Sequence, residues 1–363
     1  MAKLGDYVKI RTGKLDANAS SESGQYPFFT CAIEPLKIDS YSYDCECVLV
    51  AGNGDLNVKY YSGKFDAYQR TYIIESMDKT FLDVQYLYFF MDKYLETLRS
   101  QSIGGVIKYI KLGNLTEADI FIPSIERQRE IVQILRKSRE LIFLRKQQLA
   151  KLDELVKARF VEMFGTFPAN PFRWSIGKIQ DVVSDVRYGS SRPAVEGGKY
   201  PYLRMNNITY SGELDLRDTK RIDIPDSELD KCTVRRGDVL FNRTNSKELV
   251  GKTCVYNRDE LMVLAGFVIR VRINERIRPE VLSAFLNMDF SKRMLIGMCK
   301  TAIGQANINA KELQNIDLYI PPIELQDQFV TLKNKIDQQK QTVQQSLEKL
   351  ELLKKALMQE YFG

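Results

Sequence analysis

A polar segment, FNRTNSKE, follows an apolar, strand-like stretch and carries side chains that could read the edges of nucleic-acid bases. Arg243 can donate two parallel hydrogen bonds to guanine O6 and N7, and Asn245 can pair with adenine N6 and N7. Thr244 and Ser246 suit phosphates or bases, whereas Lys247 suits phosphate. The alternative is a solvated polar turn with Asn-Ser chemistry. Because a strand immediately precedes the segment, we favour contact with a nucleic acid.

Three other polar motifs in the same part of the chain, YGSSRP, RMNN and GQANI, carry the same residue types. Arginine and amide side chains can pair with base edges, and hydroxyls can bind phosphate oxygens. A polar turn remains the alternative for each motif. The candidate residues are Ser191, Arg192, Arg204, Asn206, Asn207, Gln305 and Asn307.

The N-terminal third of the chain offers sparser candidates, in the motifs GKLDANASSESG, GNGDLNVKYYSGKF and FDAYQR. The candidate residues are Lys14, Asn53, Asn57, Lys59, Lys64, Tyr68 and Arg70. The whole chain carries a net charge of +6, but residues 1–121 contain 13 Lys/Arg and 16 Asp/Glu, which gives −3. If this part binds DNA, its basic residues must cluster on one face, or partner proteins must supply much of the phosphate binding.

Residues and motifs that most reactions require are missing from the sequence. The chain has no histidine, which removes the commonest general base and metal ligand. Its six cysteines include one close pair, Cys45 and Cys47, and Cys-x-Cys alone is not a zinc pattern. VLVAGNGD resembles an S-adenosylmethionine loop, but no acidic residue follows on a second strand. The Asn/Asp-Pro-Pro-aromatic tetrapeptide of amino-methyltransferases and the Walker motif are also absent. We therefore expect no catalysis, metal or cofactor in this chain.

A repeat in the sequence predicts the elements that must position these loops. IPSIERQREIV and IPPIELQDQFV are 198 residues apart, and at this offset residues 122–165 fall on 320–363 without a gap. Both copies begin with proline, end with glycine and contain neither between, as expected of long helices. Ungapped register across both ends favours an internal duplication.

Apolar residues recur every seven positions in both copies, which is typical of a coiled-coil seam. The predicted seam residues are Leu135, Ile142, Leu149, Val156, Phe329, Ile336, Val343, Leu350 and Leu357. Chain order requires that the two helices run antiparallel if they pack together. The alternative is two unrelated amphipathic helices, each packed on its own domain.

The segments between the helices repeat more loosely, with short β-branched and aromatic strands, polar loops and one amphipathic helix each. We expect an α+β protein with two similar domains joined by two long antiparallel coiled-coil helices, related by an internal pseudo-twofold repeat. The predicted domains are 1–121 and 166–321. The predicted spacer helices are 122–165 and 322–363.

This arrangement resembles the specificity subunit of a Type I restriction-modification enzyme. The resemblance covers the whole chain, and it rests most specifically on the paired IP-x-IE-x-Q helix starts and on KYPYLRMNNI, GDVLFNRTNSKELVGKT and TAIGQANI. It implies two target-recognition domains, 1–121 and 166–321, each of which reads one half of a bipartite sequence in double-stranded DNA. It also implies that the helices set the spacing between the halves.

The resemblance further implies that the helices dock two methyltransferase (modification) subunits. Restriction/translocase subunits would join through these, and S-adenosylmethionine, ATP and Mg²⁺ would be bound by the partner subunits. No run of eighteen apolar residues and no signal-like h-region is present, so we expect a cytoplasmic protein without membrane contact. The alternative from another class is a dumbbell-shaped adaptor whose end domains bind proteins rather than DNA.

Overall fold

The computed structural model describes residues 2–302 and 305–363, and the side chains of all of these except 300–302 and 305. The chain forms two compact units. Unit 1 comprises the residues up to Lys146 together with Gln344–Gly363, and unit 2 comprises Gln147–Val343. Each unit therefore contains a part of each long helix.

Unit 1 is built on a six-stranded sheet in the order β2-β7-β5-β6-β3-β4, in which the β3–β6 pair is parallel and the other pairs are antiparallel. Strands β1 and β8 form a separate antiparallel pair. The strands are β1 (Ala2–Lys3), β2 (Val8–Thr12), β3 (Tyr26–Phe29), β4 (Leu36–Ile38), β5 (Tyr43–Ala51), β6 (Val58–Ala67), β7 (Thr71–Ser76) and β8 (Asp119–Ile120). The helices are α1 (Val84–Gln101), α2 (Leu112–Thr116) and the first part of α3 (Ile125–Phe164).

Unit 2 contains two four-stranded sheets, β10-β18-β14-β16 and β12-β11-β17-β13, with a small sheet β15-β20-β19 and a pair β21-β9. The strands are β9 (Ser175–Lys178), β10 (Val183–Tyr188), β11 (Tyr200–Leu203), β12 (Lys220–Ile222), β13 (Thr233–Val234), β14 (Val239–Asn242), β15 (Thr244–Asn245), β16 (Thr253–Val255), β17 (Met262–Leu264), β18 (Val268–Ile273), β19 (Lys300–Ala302), β20 (Gln305–Asn307) and β21 (Asp317–Ile320). The helices are α4 (Asp226–Cys232), α5 (Pro279–Asn287), α6 (Asp289–Met298), α7 (Ala310–Gln314) and α8 (Ile323–Phe362).

The central strand of each unit is buried on both faces. In β5, Val48 and Val50 pack in the cluster that contains α1, whereas Leu49 packs in a second cluster on the other face. In β14, Phe241 packs with α5 and Leu240 packs in a separate cluster. A strand covered on both faces needs consecutive apolar residues, and the runs CVLVA and VLF supply them.

A buried glutamine fastens the start of α3. The Gln128 side chain donates to the carbonyl oxygens of Phe81 at 2.8 Å and Pro123 at 2.9 Å. Its own oxygen accepts from the backbone N–H of Asp83 at 2.9 Å. A fully buried amide needs such partners, because an unsatisfied one is costly.

The start of α8 is fastened in the same way. Gln326 donates to the carbonyls of Arg276 at 3.1 Å and Pro321 at 2.8 Å, and it accepts from the N–H of Arg278 at 2.8 Å. The glutamine of the IP-x-IE-x-Q motif thus has one structural role, repeated in both units.

The helices pack antiparallel in unit 1. The guanidinium of Arg127, near the start of α3, lies 5.8 Å from the ring of Tyr361, near the end of α8. Farther along α3, Lys146 forms a 3.0 Å ion pair with Glu351. Residue numbers rise on one helix as they fall on the other.

Unit 2 repeats this antiparallel pairing. The ring centres of Phe160 and Phe164 lie 5.5 and 5.4 Å from that of Phe329, and Lys340 forms an ion pair with Asp153. All nine predicted seam residues are buried or half-buried: Leu135, Ile142, Leu149, Val156, Phe329, Ile336, Val343, Leu350 and Leu357. The predicted fold class, α+β with two long antiparallel helices and an internal repeat, is confirmed.

Candidate nucleic-acid interface

The FNRTNSKE segment and the closing loop of unit 2 lie side by side. Strand β15 pairs with β20, which places Thr244 opposite Asn307. The N–H of Ile308 donates to the carbonyl of Arg243 at 2.9 Å, and the N–H of Arg243 donates to the carbonyl of Phe267 at 3.0 Å. Two motifs that are distant in sequence are therefore brought together.

Arg243, Tyr188 and Asn307 form what we call the Arg243 cluster. The guanidinium carbon lies 4.8 Å from the centre of the Tyr188 ring, and Nη2 donates to Asn307 Oδ1 at 3.1 Å. Arg243 Nε is buried and meets no acceptor among the described residues. Tyr188 is itself held, since its hydroxyl accepts from the N–H of Ala310 at 2.8 Å. The ring and the amide thus fix the orientation of the guanidinium.

The rest of FNRTNSKE is partly committed to a local turn. Thr244 is buried, and Asn245 Oδ1 accepts from the N–H of Ser246 at 2.9 Å. Lys247 is exposed. The side chain of Gln305 lies outside the described part of the chain. The segment thus forms a polar turn around Asn245, and contact of its side chains with a base stays a prediction.

Other candidates of unit 2 bond within the unit. Arg192 forms an ion pair with Glu228 at 2.7 Å, and Arg204 forms one with Asp218 at 2.9 Å. Asn207 is buried and its amide donates to the carbonyl of Asp218 at 3.2 Å. These three side chains support loops. The two remaining candidates are exposed, namely Ser191 and Asn206.

Unit 1 places the equivalent segments in the same way. The N–H of Gly52 donates to the carbonyl of Arg70 at 2.7 Å, and the N–H of Ile110 donates to the carbonyl of Gly52 at 2.9 Å. Asn53 forms an isolated antiparallel β-bridge with Tyr109. Gly52 therefore occupies the backbone position that an arginine holds in unit 2, and Tyr109 occupies that of the paired asparagine.

Three further candidates of unit 1 belong to the same edge. Leu15, which follows Lys14, forms an isolated parallel β-bridge with Tyr68. Arg70 lies two residues after Tyr68 in the sequence. Lys14 and Arg70 are exposed, and Tyr68 is half-buried. The structure thus groups the segments that carry four of the seven candidates of the N-terminal third.

The other three candidates of unit 1 have local partners. Asn57 donates to the carbonyl of Cys31 at 2.8 Å and accepts from the ammonium of Lys59. Burial lowers the pKa of Lys59. The ammonium of Lys64 lies 4.7 Å from the ring centre of Tyr41.

Tyr188 was not a sequence candidate, although it is the first residue of the YGSSRP motif. A lone aromatic at a strand end gives no signal by itself, because its partner Arg243 is distant in the sequence. Within residues 2–302 and 305–363, no three Cys, Asp or Glu side chains converge as metal ligands. No helix in the same described ranges is long and apolar enough to cross a membrane.

Comparison with known sequences identifies the family. A family described as Type I restriction modification DNA specificity domain matches residues 1–154 and 173–352. The EcoDI specificity subunit of Escherichia coli is 38% identical over 168 residues, which cover 46% of this chain and 37% of that relative. The EcoKI specificity subunit of Escherichia coli is 25% identical over 253 residues, which cover 65% of this chain and 54% of that relative. The chain thus spans only 37% and 54% of the length of these two relatives.

Solved structures share the fold. The S subunit of a Type I restriction-modification system from M. genitalium has a TM-score of 0.64 at 16% identity, over 100% of this chain and 95% of that one. A chain solved in a study of complex assembly in the type I R-M system has a TM-score of 0.58 at 17% identity, over 99% and 96%. Since the family match covers most of both units, this chain belongs to the Type I restriction-modification DNA specificity family.

Proposed function

We propose that this chain is the DNA-recognition subunit of a Type I restriction-modification system, and that each unit reads one half of a bipartite target. The Arg243 cluster is the observation that carries the proposal. A guanidinium held by an aromatic ring and an amide loses little freedom on binding and suits the O6 and N7 atoms of guanine. Family membership and the equivalent backbone arrangement in unit 1 support the same conclusion.

We propose that α3 and α8 set the spacing between the two half-sites and bind two methyltransferase subunits. Exposed apolar side chains on these helices support the second role. Phe143 is 59% exposed and Leu352 is 69% exposed, and Leu144 and Leu353 beside them are also exposed. Clustered apolar side chains on a surface helix are typical of a protein-binding face. Restriction/translocase subunits would join through the methyltransferase subunits.

We propose that this chain performs no catalysis and that its partners bind S-adenosylmethionine, ATP and Mg²⁺. The sequence has no histidine, no Walker motif and no amino-methyltransferase tetrapeptide. The purified chain should therefore transfer no methyl group from labelled S-adenosylmethionine to DNA, whereas the reconstituted complex should do so at a two-part sequence.

The test is Arg243→Ala in the reconstituted complex, measured by competition between duplexes that differ at one base pair. We expect discrimination within one half-site to fall by about 1–3 kcal/mol while the other half-site is read as before. Arg236→Ala is the matched control, because Arg236 is paired with Asp259 at 2.7 Å on the surface of the same unit.

Two outcomes would count against the proposal. An equal loss on all sequences, with a shallower salt dependence, would make Arg243 a phosphate contact. Absence of sequence-selective binding by the wild-type complex would favour a protein-binding adaptor instead.

A further inference from the structure

Unit 1 carries an apolar loop tip that no other part of the unit covers. Val106 is fully exposed and Ile107 is 63% exposed. The loop is closed by Ile103 and Tyr109, which exchange backbone hydrogen bonds of 3.0 and 2.8 Å. Gly104 has a φ of +115°, and a Cβ there would lie 2.6 Å from the Ile107 carbonyl oxygen. The tip is therefore held outward by a tight, hydrogen-bonded turn.

This apolar tip adjoins the candidate interface of unit 1. The N–H of Gly54 donates to the carbonyl of Lys108 at 2.9 Å, directly beside the tip. Tyr109 forms a β-bridge with Asn53, and the N–H of Gly52 donates to the carbonyl of Arg70. The tip thus belongs to the same edge as the DNA-binding candidates.

Unit 1 and unit 2 carry different side chains at the equivalent positions of their candidate interfaces. Unit 2 pairs Arg243 with Asn307, which are polar groups suited to base hydrogen bonds. Unit 1 has Gly52 and Tyr109 at those positions, and the neighbouring tip is apolar. A Cβ at Gly52 would lie 2.4 Å from the carbonyl oxygen of Arg70, so this position carries no side chain and supplies no hydrogen-bond donor beyond the backbone.

Double-stranded DNA fits this edge better than another protein does. Lys108 in the loop and Arg70 beside it are exposed cations that suit phosphates. Asp55, the acid that follows Gly54, lies 3.8 Å from the guanidinium of Arg99, which offsets its charge. The chief apolar group that a base pair presents in the major groove is the C5-methyl of thymine.

We infer that Val106 and Ile107 are specificity-determining residues, which select thymine in the half-site of unit 1 by contact with its C5-methyl group. This inference rests on the proposed function. It assigns unit 1 an apolar mode of reading, while unit 2 reads through a guanidinium and an amide.

The test replaces each thymine of that half-site with uracil, which lacks only the methyl group. Binding of the reconstituted wild-type complex should weaken about fourfold per contacted methyl, the equivalent of one buried CH₂. The double variant Val106→Ser, Ile107→Ser removes the methyl groups of the tip and should bind thymine and uracil duplexes equally. Selectivity at the half-site of unit 2 should not change.

Met77→Ser is the matched control. Met77 is 64% exposed in unit 1 and follows the opposite end of β7 from Arg70, so it should leave the thymine preference intact. Thermal melting of each variant shows whether the fold is preserved.

Several results would overturn the inference. They are a half-site of unit 1 without an A·T pair, equal binding of thymine and uracil duplexes by the wild-type complex, and an unchanged preference in the double variant. Lost assembly with the methyltransferase subunit at an unchanged thymine preference would make the tip a protein contact. Reduced DNA bending without methyl dependence would make it a wedge at a base step. If the wild-type complex lacked all sequence selectivity, the proposed function itself would fail, which is a distinct result.

Discussion

Lys292 on α6 offers a test of how unit 2 tolerates a buried charge. The residue is 8% exposed, and its ammonium donates to the carbonyl of Gly251 at 2.6 Å. Within the described residues, no carboxylate forms an ion pair with it. Burial, together with the nearby charges of Lys252 and Lys157, lowers the pKa of Lys292 to about 7.

The size of the effect follows from this pKa. A lysine in the unfolded chain keeps its proton up to about pH 10.5, so between pH 7 and 10.5 the unfolded state binds more protons than the folded state. The free energy of unfolding therefore rises with pH across this window, by about 1.4 kcal/mol per pH unit. The whole penalty, about 5 kcal/mol, is present below pH 7 and disappears above pH 10.5.

We predict that Lys292→Met stabilises unit 2. The substitution removes a charge penalty of about 4 kcal/mol at pH 7 and loses a hydrogen bond worth about 1 kcal/mol. The net gain should be about 3 kcal/mol at pH 7 and should shrink by about 2 kcal/mol at pH 9, where the folded wild type is already neutral at this site.

The assay is urea unfolding of the full chain at pH 6, 7, 8 and 9. Lys311→Met, which removes an exposed lysine of α7 in the same unit, is the control and should change stability little at any pH. A gain for Lys292→Met that does not vary with pH, or a destabilised variant, would refute the reasoning.

Three further changes test other parts of the structure. Gln326→Leu should lower the free energy of unfolding by about 1–3 kcal/mol per unpaired buried group, and a melting temperature equal to wild type would contradict the fastening role. Phe329→Ala should cost about 3–5 kcal/mol by leaving a cavity against Phe160, measured by denaturant unfolding, whereas exposed Leu353→Ala should cost less than about 0.5 kcal/mol. Tyr188→Ala should weaken base discrimination at the same base pair as Arg243→Ala. An unchanged base preference in competition binding would show that Tyr188 does not position Arg243.

The long helices could be predicted closely from the sequence. Proline at the start, glycine at the end and a seven-residue apolar period are local signals, and the observed helices Ile125–Phe164 and Ile323–Phe362 lie within a few residues of the predicted ones. The sheets could not be predicted in this detail. Pairing such as the parallel contact of β3 with β6 joins segments far apart in the chain, and short apolar strands do not encode their neighbours.

The candidate site was predictable only in part, and for a chemical reason. Arg243 and Asn307 have the residue types that read bases, and the structure brings them together. Arg204 and Asn207 have the same types, but the first pairs with a carboxylate and the second bonds a backbone carbonyl. Arginine and asparagine serve both purposes equally well, so composition alone does not separate them. The partner of Arg243, Tyr188, depends on tertiary contact.

The buried glutamines at the two helix starts have a consequence for how such a protein can change. Gln128 bonds only main-chain atoms of Phe81, Asp83 and Pro123, and Gln326 likewise bonds only main-chain atoms. Every residue except proline offers the same N–H and carbonyl groups, so the junction does not depend on which side chains flank it. The side chains around each junction can therefore diverge while the helix that follows remains attached in the same way. One kind of junction can therefore attach a long helix to units of different sequence, as it does twice in this chain.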